Sequence, residues 1–213
     1  MSTDSDVIRG SLETPEQFAV LYDRHATPVY RYLTRRLGRL SAEDITSETF
    51  LAAFDSRTTF DLSRESALPW LLGIATNLAN RHLRQSVRQE QIQQKAARLD
   101  PGHPADLLEP ITEQLDHSQG TSQVMRALAH LSPTNRDTLL LHVWGELTYD
   151  QIAAATHVPV GTVRSRLHRA RLTLRSHLSA PADSTPTQRI AERLSSPSSA
   201  SPEATATQEP HHA

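Results

Sequence analysis

The sequence predicts an all-α protein: two small helical domains joined by an acidic flexible linker, the second containing a helix-turn-helix, with a disordered C-terminal tail. Three observations carry this prediction. Apolar residues recur at helical spacing, as in Phe18, Leu21, Tyr22, Val29, Tyr30 and Leu33. The hydrophobic content of 37% includes only two Trp, four Tyr and four Phe, which suits small Leu/Ala/Val cores. Charge is segregated along the chain, although the net value is only −2 over 213 residues.

Taken in order, residues 1–13 are polar and acidic at their start and are expected to be a disordered N-terminus. Residues 14–97 form the first helical domain. Thr14-Pro15-Glu16-Gln17 offers an N-cap, a Pro at the first helical position and a Gln three residues on. Gly38 stops that helix, and Ser41 caps the next, which runs to about Phe54. A polar loop from Asp55 to Glu65 leads to a third helix from about Pro69, with Trp70, Leu71, Ile74 and Leu78 as its apolar stripe and an extension toward Ala97. Asp100-Pro101-Gly102-His103-Pro104 breaks the pattern. The linker, 98–122, carries Asp100, Asp106, Glu109, Glu113 and Asp116, with no Lys or Arg from Leu99 to Ser122. Residues 123–179 form the second domain, with Val124, Leu128 and Leu131, then a helix started by Ser132-Pro133 in which Leu139, Leu140 and Val143 face inward. Residues 180–213 are rich in Ser, Thr, Pro and Ala and are expected to be disordered.

Three segments carry chemistry. From Leu147 to Arg171 a short helix with Ile152 and several Ala is followed by a turn at His157-Val158-Pro159. A second helix, from about Gly161 to Leu178, places Val163, Leu167, Ala170 and Leu174 on one face. Small Ala side chains let two such helices cross closely. The outward face bears Arg164, Arg166, His168, Arg169, Arg171 and Arg175; between Gln151 and Ala182 there is no Asp or Glu, so five Arg leave +5 with His neutral. A solvated helix face normally mixes both signs, so this segregation points to phosphate attraction and base reading. In the second segment, Asp44, Ser47, Glu48 and Leu51 fall at i, i+3, i+4 and i+7 and share a helix face, while Phe50, Ala53 and Phe54 lie largely on another. By spacing alone those acids equally suit the first turn of a helix, where they complement its dipole. In the third, Asn77, Arg81, Arg84 and Arg88 make a basic, amide-bearing stripe opposite the Trp70/Ile74/Leu78 core, and Asn and Arg hydrogen-bond bases and phosphates well.

The absence of cysteine excludes disulfides and thiolate metal sites and suits a reducing interior. With no apolar signal region at the start and no run near the ~20 residues that span a bilayer, a cytoplasmic location is expected. Neither a metal-ligand spacing nor a nucleophile constellation is present, so the expectation is no catalytic residues, no metal, no cofactor and no enzyme activity. A nuclease using Asp44 and Glu48 with a His lacks that support. A stand-alone helix-turn-helix regulator would explain Thr148 to Arg175 but leaves the Asp44/Glu48 helix and the Trp70–Arg84 segment without a role.

In combination the motifs resemble bacterial RNA polymerase sigma factors of the extracytoplasmic-function (ECF) group, sigma-70 family. They are Ala42-Glu43-Asp44 with Glu48-Thr49-Phe50, Pro69-Trp70-Leu71 with Ile74-Ala75-Thr76-Asn77-Leu78, and Leu147-Thr148-Tyr149 through Pro159-Val160-Gly161-Thr162-Val163-Arg164-Ser165-Arg166. The resemblance covers roughly Phe18 to Leu178 and implies a protein that binds core RNA polymerase and directs promoter recognition, strand opening and initiation. It implies that Asp44, Ser47, Glu48 and Leu51 dock on the clamp of the polymerase's largest subunit. The loop from Ser56 to Arg64 would capture a flipped base of the −10 element, and Asn77, Asn80, Arg81 and Arg84 would face that element. Thr162, Arg164, Ser165, Arg166, His168 and Arg169, on the recognition helix, would read the −35 element. The acidic linker would thread the polymerase cleft near the RNA path. The partners implied are core polymerase and promoter DNA, with an anti-sigma factor as a further candidate and no membrane insertion.

Overall fold

The computed structural model describes residues 2–99 and 119–178, with side chains described over 2–95 and 124–178. Helix α1 (Asp4–Ser11) and a 3-10 turn (Pro15–Phe18) lead into α2 (Ala19–Leu37), α3 (Arg39–Asp55), a second 3-10 turn (Arg57–Thr59) and the long α4 (Leu68–Leu99). Then come α5 (Gln119–Ala129), α6 (Pro133–Val143), α7 (Tyr149–Thr156) and α8 (Val160–Leu178). All of the described regular structure is helical, as the sequence predicts. The tail predicted over 180–213, and all of the predicted linker except its ends, which belong to α4 and α5, lie outside the described residues.

The first correction concerns residues 1–13, which are not uniformly irregular. Thr3 caps α1 in a capping box, its hydroxyl accepting from the Asp6 N–H while the Asp6 carboxylate accepts from the Thr3 N–H. Val7 and Ile8 are then buried. Two adjacent apolar residues are too few to register as a helical period, so only the Thr-x-x-Asp pattern announces this helix. The second correction is local: Thr14 makes no side-chain cap, and Pro15–Phe18 is a 3-10 turn that runs on into α2. Ser41 likewise lies inside α3, which begins at once after Gly38. Gly38 sits at φ 81°, a region L side chains avoid, and this lets a single residue reverse the chain between two helices.

Helices α2, α3 and α4 pack around Leu21, Val29, Tyr32, Leu33, Phe50, Ala53, Leu71 and Ala75. The buried side of α4 centres on Leu71, Leu72, Ala75 and Ala79, with Trp70, Ile74 and Leu78 only half-buried against it. That shift follows from α4 being covered on a third side by α7. Helices α6, α7 and α8 close over Leu139, Leu140, Leu141, Ile152, Val163, Leu167 and Ala170, while Val143, expected inward, is exposed.

The apolar core is continuous across both predicted halves. Gly73 of α4 stands where a Cβ would lie 2.5 Å from the backbone oxygen of Ala155 in α7. A Cβ on Gly145 would meet Leu72 at 3.1 Å. Gly73 therefore lets the α4 and α7 backbones approach directly, and Gly145 leaves room for the Leu72 side chain.

Candidate nucleic-acid interface

The helix-turn-helix is built by caps at both ends of α7. Thr148 accepts from the Gln151 N–H, and the Gln151 side chain accepts from the Thr148 N–H at 2.9 Å. Such a box stabilises a helix end by about 1 kcal/mol. At the other end His157 takes the left-handed conformation (φ 52°, ψ 42°), its N–H bonded to Ala153 O, and turns the chain into Val158-Pro159. Gly161 faces open space, and the N–H of Thr162 is already bonded to Pro159 O at 2.8 Å. The start of α8 is thus capped and unobstructed.

On α8, Val163, Leu167 and Ala170 are fully buried and Leu174 is half-buried, as its spacing predicts. Arg164, His168 and Arg169 are exposed; Thr162, Ser165 and Arg166 are half-buried on the adjoining strip. The Ser165 hydroxyl donates to Thr162 O at 2.9 Å. None of Arg164, Arg166, Arg169, Arg171 or Arg175 pairs with an acid among the described residues; Arg171 only reaches the Tyr149 hydroxyl at 3.4 Å. A row of uncompensated guanidinium groups on a short exposed helix attracts phosphate and fits bidentate contacts to guanine.

The α4 stripe is different. Asn77 and Arg84 are exposed without described partners. Arg81 lies 4.0 Å from Glu48 of α3, both exposed, so one expected DNA contact and one expected polymerase contact face each other. Asn80 is not available as the sequence suggests. Its amide donates to Asp137 of α6 at 2.8 Å and its oxygen accepts from Arg36 of α2 at 2.6 Å. Arg36 is ion-paired with Asp137, and their side chains are 4% and 16% exposed. Arg36 also donates to the Tyr32 hydroxyl, which bonds Thr76 at 2.8 Å. Burial works against the Arg36 charge, but the Tyr32 oxygen and the Asp137 carboxylate outweigh it and hold the guanidinium more basic than usual. Burial likewise raises the Tyr32 pKa, keeping the phenol neutral. A spacing argument cannot find this network, because Arg36 and Asp137 are 101 residues apart.

The α3 face is confirmed as a surface. Asp44, Ser47 and Glu48 are exposed, and Leu51 is 67% exposed although Phe50 and Ala53 beside it are buried. The Ser47 hydroxyl turns back to Glu43 O at 3.2 Å. An exposed Leu ringed by acids is a surface that gains by being covered.

The loop between α3 and α4 is anchored at both arms. Phe60 is buried against Trp70, ring centroids 5.2 Å apart. Residues 61–66 are all exposed. Asp61 accepts from the Ser63 hydroxyl at 2.7 Å and the Ser63 N–H at 3.1 Å, and these bonds lower its pKa. The second arm is held by α1: Asp4 accepts from the Ala67 N–H, the Asp4 N–H donates to Glu65 O, and the Ser5 hydroxyl donates to Arg64 O.

Comparison with known proteins agrees with this arrangement. Residues 21–89 match the family model for Sigma-70 region 2, and residues 121–174 that for Sigma-70, region 4. The chain is 34% identical over 194 residues to the ECF RNA polymerase sigma factor SigE of Mycolicibacterium smegmatis, covering 83% of this chain and 72% of that one. It is 28% identical over 183 residues to the ECF RNA polymerase sigma factor SigK of Mycobacterium tuberculosis, covering 84% of this chain and 95% of the relative. The solved structure of CnrH in complex with the cytosolic domain of CnrY shares the fold, with TM-score 0.56 and 20% identity over 84% of this chain and 99% of that chain. The region 2 match spans the acidic α3 and the Trp-bearing start of α4, and the region 4 match spans the helix-turn-helix with its Arg face. The chain belongs to the ECF family of RNA polymerase sigma factors, proteins of promoter recognition and transcription initiation.

Proposed function

We propose that the chain docks on the clamp of core polymerase through Asp44, Ser47, Glu48 and Leu51, and there holds two separate promoter contacts. Thr162, Arg164, Ser165, Arg166, His168 and Arg169 read a −35-type duplex in the major groove. Asn77, Asn80, Arg81, Arg84 and the loop before α4 engage the non-template strand of a −10-type element and stabilise it once opened. Extruding a base costs a few kcal/mol, which a fitted loop offsets. The single observation that carries this reading is the unpaired Arg face of α8 on a chain whose acids are gathered elsewhere.

In this reading the two helical domains part on polymerase, because Asn80 reaches DNA only when Asp137 releases it. Each contact alone is weak, and tethering both to polymerase supplies the affinity. The protein acts where polymerase acts, in the cytoplasm. CnrH, which shares the fold, has been solved with a protein domain bound; an anti-sigma factor is the corresponding class of partner here.

The test is run-off transcription with purified core polymerase on randomised promoter DNA, for the native chain and for Asp44→Lys/Glu48→Lys. The native chain yields promoter-specific starts. Charge reversal at the docking face lowers polymerase affinity at least about tenfold, since like charges juxtaposed at an interface cost several kcal/mol. The duplex preference of α8 stays unchanged. Duplex binding without any promoter-specific start would replace this reading with that of a stand-alone regulator.

A further inference from the structure

Helix α1 precedes the matched region 2, which begins at residue 21, and none of the contacts proposed above involves it. Its N-terminal end is nevertheless densely bonded to the rest of the first helical half. The Asp4 carboxylate, 7% exposed, lies 2.8 Å from Arg24 Nη1, 2.6 Å from His25 Nε2 and 2.8 Å from the Ala67 N–H. Burial opposes its charge, and the Ala67 N–H, Arg24 and His25 together overcome that and leave its pKa below the usual carboxylate value. The Asp4 N–H donates to Glu65 O at 3.2 Å, and the Ser5 hydroxyl donates to Arg64 O. Residues 64, 65 and 67 are the far arm of the loop whose near arm is pinned by Phe60 on Trp70.

The tip between those anchors, residues 61–63, is exposed, and so are the side chains of the anchored 64–66. An exposed loop satisfies its backbone groups with water at little cost, so stability alone does not require three bonds from a distant helix. What they add is one fixed conformation, and a fixed loop binds more tightly because less freedom is lost on binding.

We propose that α1 is a positioning element, acting through Asp4 and Ser5, that sets the shape of the 61–66 loop for the extruded base of the −10 strand. The N-terminal helix thereby tunes base discrimination at that position without touching DNA. The proposal rests on the reading of the loop given above.

The experiment uses the full chain bound to core polymerase and fork-junction DNA with a constant −35 segment and a randomised −10 segment. The readout is the preference profile among bound molecules, compared for the native chain, Asp4→Asn, Ser5→Ala and the loop-tip variant Leu62→Ala/Ser63→Ala. Asp4→Asn keeps the size of the side chain but loses the charge, and should flatten discrimination at one position by about tenfold, with Ser5→Ala a few-fold. Preferences elsewhere should stay within about twofold. A purely structural α1 would instead weaken binding of every library member alike, with an unchanged profile. If the loop-tip variant alters the profile while Asp4→Asn and Ser5→Ala leave its shape intact, the proposal is overturned and the loop's role stands. If no variant, loop tip included, alters the profile, the loop reading falls and the proposal with it. Should Asp4→Asn fold poorly, Ser5→Ala, which removes one hydroxyl, decides the matter by the same criterion.

Discussion

The two surfaces expected to meet DNA are held in opposite conditions. On α8 the Arg row faces outward, Arg166 half-buried and the others exposed: its floor is Val163, Leu167 and Ala170, and no described acid neutralises it. On α4 the comparable row is partly engaged inside the protein, with Asn80 bound to Asp137 and Arg36, and Arg81 beside Glu48. In the folded chain the first row is free of described acids, and the second is partly tied to the protein itself. The difference teaches that availability here is decided by what packs beside each row and not by the side chains themselves, since Arg belongs to both.

The largest test of that contrast is Asp137→Ala. It strands the buried Arg36 charge, which should cost about 3 kcal/mol in urea-unfolding stability. It also releases the Asn80 amide N–H, its oxygen staying on Arg36, so the free protein should bind single-stranded DNA more tightly while its duplex binding through α8 is unchanged. Lost stability with no gain for single strands would mean that the α4 row is not held back by this network. Next in size is Gly73→Ala. The added Cβ meets Ala155 O, and overpacking of this kind costs about 1–3 kcal/mol, less about 1 kcal/mol recovered from helix propensity. Small-angle scattering should show a larger radius of gyration as α4 and α7 separate; an unchanged radius and stability would show that the backbones yield without parting. The smallest effect belongs to Arg81 and Glu48. An exposed pair at 4.0 Å should couple by under about 1 kcal/mol in a double-mutant cycle. A larger coupling would place Arg81 with the protein and not with DNA, deepening the contrast.

Much of this was legible in the sequence where one element carries its own signal. The α8 face follows from a 3.6-residue period with Arg on the outside, and the exposed α3 face from the i, i+3, i+4, i+7 spacing of Asp44, Ser47, Glu48 and Leu51. What escaped involves partners distant in the chain. Asn80 reads as an outward polar residue because its neighbours on α4 are polar, and nothing local says that α6 will cover it. Asp4 reads as part of an acidic, unstructured start, because its donors come from Arg24, His25 and Ala67. Helix starts also differ from the sequence reading: Thr14 makes no side-chain cap and opens a 3-10 turn ahead of α2, and Ser41 lies inside α3, which has already begun at Arg39.

The 101-residue separation between Arg36 and Asp137 also has a meaning in time. At roughly 5–20 residues per second, a ribosome adds Asp137 about 5–20 s after Arg36. Throughout that interval the guanidinium has Tyr32 and, once it is made, Asn80 as partners, but neither has the Asp137 carboxylate. The clasp between the halves is therefore among the later features a newborn chain can complete, and every molecule passes through a stage in which Asn80 is not yet held by α6.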